Sequence, residues 1–267
     1  MKKAVIIIAR NEKDWPAKTA NSFHDAMPDA EIVGVDDGGE NDWPAFVNVY
    51  KTTGGIGVGQ CRNKGAKMTD ADLVCFTDGH VLYESGDINK AWSLAEQGYV
   101  VNPSTMSMIN DKVHGCGRQH QLPSHHATYV RAQEGTLVGM IGSVYFMKRS
   151  TALEIVAPTS SHGFNEQIMT CAALTFGHKT YAFPSLIFRH MFKKRFDNYK
   201  VSYTQQQKNR LLLDWWFFGK SIPANATNDE KYYYKFAQEK RKLSPSELRN
   251  NILEMNFNMK KNAKERT

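Results

Sequence analysis

Three short apolar runs, each closing on polar turn residues and each separated from the next by a helical pattern, restrict this chain more than any other feature. Residues 4–9 read as a buried strand, 14–27 as a helix, 31–35 as a second strand, 59–68 as a helix and 71–76 as a third strand. Repeated β-α-β order needs long crossovers, which give a largely parallel sheet covered by helices on both faces. In such sheets ligands gather at the carboxyl ends of the strands. Two acidic motifs fall at such ends, Asp36-Asp37-Gly38-Gly39 after the second run and Asp78-Gly79-His80 after the third.

The second motif carries chemistry. In extended backbone, residues i and i+2 project to the same side, so Asp78 and His80 can converge on one ion at the mouth of the sheet. Oxygen and imidazole ligands with solvent-open positions suit Mn²⁺ or Mg²⁺, which can bridge phosphate oxygens and stabilise a departing phosphate. The competing reading of D-x-H is a turn with an incidental histidine. Between the motifs, the glycine-rich residues 54–59 fail the G-x-G-x-x-G spacing and lead to no Gly-Lys-Ser/Thr, which argues against dinucleotide and P-loop folds. They read as a loop that lets backbone pass close to a ligand, or as an ordinary loop, ahead of the helix carrying Arg62.

Charge and composition narrow the partners. The chain of 267 residues carries a net charge of +7, which favours anionic partners. Residues 188–210 hold seven Lys/Arg against one acid, and residues 228–267 hold ten against six, among them Lys240-Arg241-Lys242. The early apolar run stops at Arg10, too short for a signal-peptide core or a membrane span. Cys61, Cys75, Cys116 and Cys171 form no C-x-x-C pair and read as buried thiols of a reducing compartment. The expectation is a soluble cytoplasmic protein without membrane insertion, in the host cytoplasm if viral.

Several motifs then agree in order. The segments 6–12 (Ile-Ile-Ile-Ala-Arg-Asn-Glu), 35–39 (Val-Asp-Asp-Gly-Gly) and 57–65 (Gly-Val-Gly-Gln-Cys-Arg-Asn-Lys-Gly) resemble the family 2-type nucleotide-sugar glycosyltransferases of the GT-A fold. Within that group, Phe76-Thr77-Asp78-Gly79-His80 resembles the D-x-H motif of polypeptide N-acetylgalactosaminyltransferases. Downstream, residues 140–148 are similar to that family's Gly-Gly-containing strand, 163–167 to its Trp-Gly-Gly-Glu-Asn segment and 188–194 to its Gly-His-x-Phe-Arg segment. The resemblance spans roughly residues 4–218. It implies an α/β GT-A (Rossmann-like) catalytic domain over residues 1–222, a UDP-sugar donor and retention of anomeric configuration. A polar, helical, basic C-terminal extension follows over 223–267.

Residue by residue, the resemblance implies that Asp78, His80 and His190 ligate the divalent metal. Asp36 and Asp37 would lie near the uracil and ribose, Arg62 near the nucleotide or sugar, and Glu166 against the donor sugar. Phe164 and Asn165 stand where that family has glycines, and Gln167 where it has Asn, so the sugar pocket departs from the family pattern. A structural histidine and a first-turn helix acid are the competing readings of His190 and Glu166. The basic run Lys193-Lys194-Arg195, with Tyr199, can close over a diphosphate and exclude water.

Three stretches carry further expectations. Residues 102–136 hold His114, Cys116, His120, His125 and His126 at no standard zinc spacing, and read as an acceptor-facing loop. Residues 211–218 read as a core helix, with a membrane-surface element as the alternative. Ser244-Pro245-Ser246-Glu247 reads as a helix start. A basic enzyme suits an anionic polymer, so the favoured acceptor is a hydroxymethylated pyrimidine in DNA, such as 5-hydroxymethylcytosine in bacteriophage base modification. Transfer to protein Ser/Thr or a glycan, and a catalytically silent nucleic-acid-binding module, are the alternatives.

Overall fold

The computed structural model describes residues 1–159, 163–192 and 203–264, apart from the side chains of 205, 260 and 262–264. In chain order its elements are β1 (Lys3–Ala9), α1 (Trp15–Ala26), β2 (Ala30–Asp36), β3 (Asn48–Lys51), α2 (Val58–Met68), β4 (Leu73–Asp78) and β5 (Val81–Ser85). There follow α3 (Ile88–Glu96), β6 (Tyr99–Ser107), β7 (Val113–Gly115), β8 (Gly117–Gln121), β9 (His126–Val130), β10 (Val144–Lys148) and α4 (Arg149–Ile155). The chain then forms α5 (Asn165–Phe176), β11 (Lys179–His190), α6 (Tyr203–Phe218), α7 (Asn228–Lys240) and α8 (Pro245–Lys264).

The main sheet runs in the order β3-β2-β1-β4-β10-β6-β11-β5, with β7 added on β6. Strands β3, β2, β1 and β4 are mutually parallel; β10 opposes both its neighbours, β6 and β11 are parallel, and β5 is antiparallel to β11. Four of its eight pairings are parallel and four antiparallel, so the sheet is mixed instead of mostly parallel; the β-α-β pattern accounts for its parallel half, β3-β2-β1-β4. The second strand pair, β8 with β9, forms a separate hairpin.

Side-chain alternation divides the core in two. Ile6, Ile8, Val33, Val35, Val74 and Phe76 face a cluster shared with α4, α5 and α6. Val5, Ile7, Ile32, Leu73 and Cys75 face the opposite cluster with Phe23 of α1 and Trp92 of α3. Both faces are covered, which is why these strands read as continuous apolar runs. Helix α2 can approach because Gly65 has no side chain; a Cβ there would collide with Ile6. All four cysteines are buried and none forms a disulfide.

The C-terminal stretch closes the first cluster. Leu212, Leu213, Trp215, Trp216, Phe217 and Phe218 of α6 are buried, so the apolar run is a core helix. Tyr233 and Ala237 of α7 and Leu248 and Ile252 of α8 lie in the same cluster as the sheet. Helix α8 starts with the reciprocal cap expected of Ser244 and Glu247: Glu247 N–H donates to Ser244 Oγ at 3.3 Å and Ser244 N–H to Glu247 Oε2 at 2.7 Å. Among the described residues no helix is long and apolar enough to cross a membrane.

The histidine-rich stretch is strand rather than open loop. It forms β7 and the β8–β9 hairpin, and two of its imidazoles are buried in a hydrogen-bonded chain. His120 Nε2 lies 3.0 Å from His125 Nδ1, and His125 Nε2 lies 2.9 Å from Asp214 Oδ1 on α6. Asn256 of α8 brackets the His120 backbone from both sides, through its Oδ1 at 3.2 Å and Nδ2 at 2.6 Å. A spacing scan for metal ligands misses this arrangement because the partners of these histidines are each other and a distant helix. Burial, with His125 beside it, pushes the His120 imidazole down to about 3. Below an unfolded value of about 6.5 the unfolded chain binds a proton that the folded chain refuses, so stability falls as pH drops. Urea denaturation at pH 7 and pH 5 should show a loss from His120 of about 2 kcal/mol, and His120→Gln should reduce the pH dependence by that amount.

Candidate active site

Strands β1, β2 and β4 end level with one another: Ala9 is opposite Asp36, and Ile8 is opposite Asp78. The loops that follow them share one edge of the sheet. At this edge Asp36 and Asp37 are buried. Asp36 accepts from the Gly38 N–H at 3.1 Å, Asn41 Nδ2 at 2.6 Å and Trp43 Nε1 at 3.3 Å. Asp37 accepts from Thr52 Oγ1 at 2.9 Å and from the backbone N–H groups of Ile56 at 2.9 Å and Gly57 at 3.3 Å. The glycine-rich stretch therefore wraps the Asp37 carboxylate, with Gly54, Gly55 and Gly57 in the left-handed region (φ +93°, +71° and +95°) that glycine enters freely.

The D-x-H turn meets a further imidazole, His190, which β11 brings from the far side of the sheet. Asp78 closes β4, Gly79 and His80 make the turn, and β5 then pairs antiparallel with β11 so that Val81 lies opposite His190. Gly79 has to be glycine: a Cβ would stand 2.9 Å from Ala9 Cβ and 3.0 Å from Ile8 O. The rings of His80 and His190 are 4.8 Å apart, and one ligand atom from each of Asp78, His80 and His190 lies within 4.8 Å of the others. His190 Nε2 is 3.4 Å from Asp78 Oδ2, while its Nδ1 is buried with no hydrogen-bond partner among the described residues. A buried, unused nitrogen is what a metal ligand requires before the metal arrives.

Protonation states suit the same role. Burial alone would raise the Asp78 carboxyl, but the hydrogen bond from His190 and the charge of Arg62 outweigh it and hold the group at about 2. Burial lowers His190, keeping it neutral despite its contact with Asp78. A divalent oxygen-and-imidazole site needs an ionised carboxylate and neutral imidazoles. The residues present fit Mn²⁺ or Mg²⁺.

Arg62 links the two carboxylates of the site. It is only 2% exposed, lies over the Tyr145 ring at 5.3 Å, donates to Gly142 O at 3.0 Å, and reaches Glu166 Oε1 at 3.4 Å and Asp78 Oδ1 at 3.7 Å. Its place in the interior makes it a spacer that holds Asp78 and Glu166 in register. Glu166 stands in the first turn of α5, just after Phe164, whose φ of 60° is left-handed. A Phe in a conformation that costs a side-chain-bearing residue about 1 kcal/mol is an outlier that packing must hold in place.

The structure adds residues that the sequence patterns missed. Arg118 on β8 reaches Glu166 Oε2 at 3.5 Å and stacks on Tyr129 at 4.8 Å. Tyr129, His114 and Phe192, all half-buried, contact one another, and Phe192 contacts His190 with ring centres 4.4 Å apart. Their sequence signal is faint, because three separated segments supply one cluster. Lys193, Lys194, Arg195 and Tyr199 lie outside the described residues. In the C-terminal basic cluster, Arg241 donates to the carbonyls of Trp216 at 2.9 Å and Phe217 at 3.3 Å, and Lys240 pairs with Glu154 at 3.0 Å. Arg241 thus caps α6 instead of standing free for an acceptor.

A mixed sheet flanked by helices, with acidic loops and a D-x-H turn along the edge of its parallel half, has the GT-A fold. The family model for glycosyl transferase family 2 matches residues 4–155, more than half of the sequence, and the chain belongs to that family. Among solved structures, GalNAc-T7 with UDP, GalNAc and Mn²⁺ superposes with a TM-score of 0.76 at 14% identity, covering 95% of this chain and 56% of that one. Residues 1–349 of S. aureus TarS, in complex with UDP-GlcNAc, superpose with a TM-score of 0.60 at 15% identity, covering 90% of this chain and 71% of that one. At these identities the likeness is one of fold. The chain spans little more than half the length of the GalNAc-T7 chain. No curated protein sequence matches it.

Replacing Arg62 by Met keeps bulk but leaves Asp78 and Glu166 facing each other without the shared cation. Breaking a buried pair in this way costs about 3–5 kcal/mol, and Arg118 still screens Glu166, so the lower end is expected. Urea denaturation of Arg62→Met should show a loss of about 3 kcal/mol.

Proposed function

We propose that this chain is a metal-dependent, retaining glycosyltransferase that moves a sugar from a UDP-sugar to a hydroxyl acceptor. The observation that carries the reading is the convergence of Asp78, His80 and His190 at the sheet edge that also holds Asp36 and Asp37, within a glycosyl transferase family 2 chain. GalNAc-T7 was crystallised with UDP and Mn²⁺ and TarS with UDP-GlcNAc, which supports the same donor class and ion here. The loops built on Asp36 and Asp37 would receive the uracil and ribose. Asp78, His80 and His190 would hold the ion, which supplies positive charge against the departing diphosphate.

In this reaction the acceptor oxygen forms a bond to the anomeric carbon while the bond from that carbon to the phosphate oxygen breaks. The electron pair leaves with UDP, and the acceptor proton passes to the departing phosphate on the same face. Glu166, fixed between Arg62 and Arg118, would accept from hydroxyls of the donor sugar. Lys193, Lys194 and Arg195, with Tyr199, directly follow the third ligand in sequence and would close over the diphosphate.

For the acceptor we propose a 5-hydroxymethylpyrimidine base in DNA, with a viral role in the host cytoplasm. The net charge of +7 supports a polyanion, and the cluster of Tyr129, His114 and Phe192 beside His190 supports stacking of a base turned out of its helix. A panel of UDP-sugars, incubated with hydroxymethylated DNA, unmodified DNA, Ser/Thr peptides and glycans and read by mass spectrometry, tests both layers. Addition of one sugar to hydroxymethylated DNA, with Mn²⁺ and not with chelator, is expected. Transfer to a peptide or glycan instead would replace the acceptor. Absence of both transfer and UDP release from every donor would overturn the enzyme reading. Asp78→Ala and His80→Ala should each lower turnover by about 100- to 1,000-fold, assayed well below their unfolding transitions, which should shift to lower urea because Arg62 and Glu12 lose a partner. His190→Ala should regain part of its activity at high Mn²⁺.

A further inference from the structure

The turn between β1 and α1 contains a carboxylate to which the reaction above gives no role. Glu12 is 8% exposed, and its Oε2 lies 2.7 Å from His80 Nδ1. An N–H on Nδ1 that donates to Glu12 leaves the Nε2 lone pair of His80 as its metal-binding atom. The Glu12 backbone is in turn held by Asn41, whose Oδ1 accepts from the Glu12 N–H at 2.8 Å. Asn41 Nδ2 donates to Asp36 Oδ1 at 2.6 Å. A continuous hydrogen-bonded chain thus runs from the loop after β2 to the D-x-H turn after β4.

The backbone around Glu12 is built to hold this contact. Asn11 and Lys13, on either side of it, take left-handed φ values of 53° and 55°. Such residues persist where surrounding contacts over-determine them. Here those contacts are the hydrogen bonds that zip the turn to the neighbouring loop: Asn11 N–H to Gly38 O at 2.9 Å, Lys13 N–H to Glu40 O at 2.7 Å and Asp42 N–H to Lys13 O at 2.8 Å. Gly39 fits beneath because a Cβ there would stand 2.6 Å from Asn11 Cβ. Gly79 leaves room for the carboxylate itself, since its Cβ would lie 3.1 Å from Glu12 Oε2.

We propose that Glu12 is a positioning residue for the metal site: it sets the tautomer and ring orientation of His80, and the Asp36–Asn41–Glu12 chain ties that setting to the loop on the nucleotide side. The inference rests on the reading of Asp78, His80 and His190 as metal ligands. It assigns Glu12 no contact with donor or acceptor.

Mn²⁺ affinity, measured on the purified protein by electron paramagnetic resonance without donor or acceptor, tests it independently of turnover. Glu12→Ala should weaken Mn²⁺ binding by about 10- to 100-fold, the usual effect of losing such a partner. Glu12→Gln, whose amide oxygen can still accept from Nδ1 but without charge, should fall between wild type and Glu12→Ala. In the double variant with His80→Ala, removing Glu12 should cost nothing further, because its effect passes through His80. Unfolding curves of the metal-free variants confirm that the fold persists, and Glu12→Gln keeps the side-chain volume if Glu12→Ala does not fold. Unchanged Mn²⁺ affinity in both Glu12 variants, or full additivity with His80→Ala, would overturn the inference while leaving the metal site in place. Absence of Mn²⁺ binding by the wild type would overturn the metal reading, and this inference with it.

Discussion

The Asp78 carboxylate is the point on which this molecule turns. It ends the central strand β4, faces His190 across 3.4 Å and Arg62 across 3.7 Å, and stays ionised because those contacts outweigh the cost of its burial. Each neighbour arrives from a different part of the chain: Arg62 from the helix after the glycine-rich loop, His190 from the end of β11. The ends of β4 and β11 bring Asp78 and His190 together, α2 supplies Arg62, and Asp36 ends β2 on the same edge, with β1 between it and β4. The charges are mutually dependent. Removing the arginine leaves two carboxylates opposed, and removing the carboxylate leaves a buried guanidinium and an imidazole without their partner.

Much of this architecture was legible because period and position carry it. Strands covered on both faces are apolar at every position, so β1, β2 and β4 stood out, and their order with α1 and α2 fixed the parallel half of the sheet. The acidic turns followed from the rule that sites lie at strand ends. The D-x-H spacing predicted that Asp78 and His80 share a face of extended backbone; their side chains do converge, but through the turn at Gly79-His80 and not through strand alternation. His190, Glu166 and Arg62 were reachable by family resemblance alone, since nothing local in the sequence says that residues 100 or more apart meet.

What stayed hidden was long-range and side-chain-specific. The β8–β9 hairpin looked like a loop because its histidines are polar in sequence yet spent on one another and on Asp214 in the fold. Arg118 carried no signal until β8 placed it against Glu166. Arg241 read as part of a free basic cluster and instead closes the carbonyl end of α6. Glu12 sat within a recognised segment without a role, and only its 2.7 Å approach to His80 suggests one. Polar residues declare their chemistry by type, but their partners only by geometry.

The central claim is that the strand-end cluster couples a divalent ion to nucleotide diphosphate binding. Calorimetric titration of UDP into the protein, with Mn²⁺ and then with chelator, addresses it directly. Affinity should rise by about tenfold or more with Mn²⁺, and Asp78→Ala should abolish that gain while remaining folded. Equal UDP affinity in chelator and in Mn²⁺, or a gain that survives in Asp78→Ala, would contradict it.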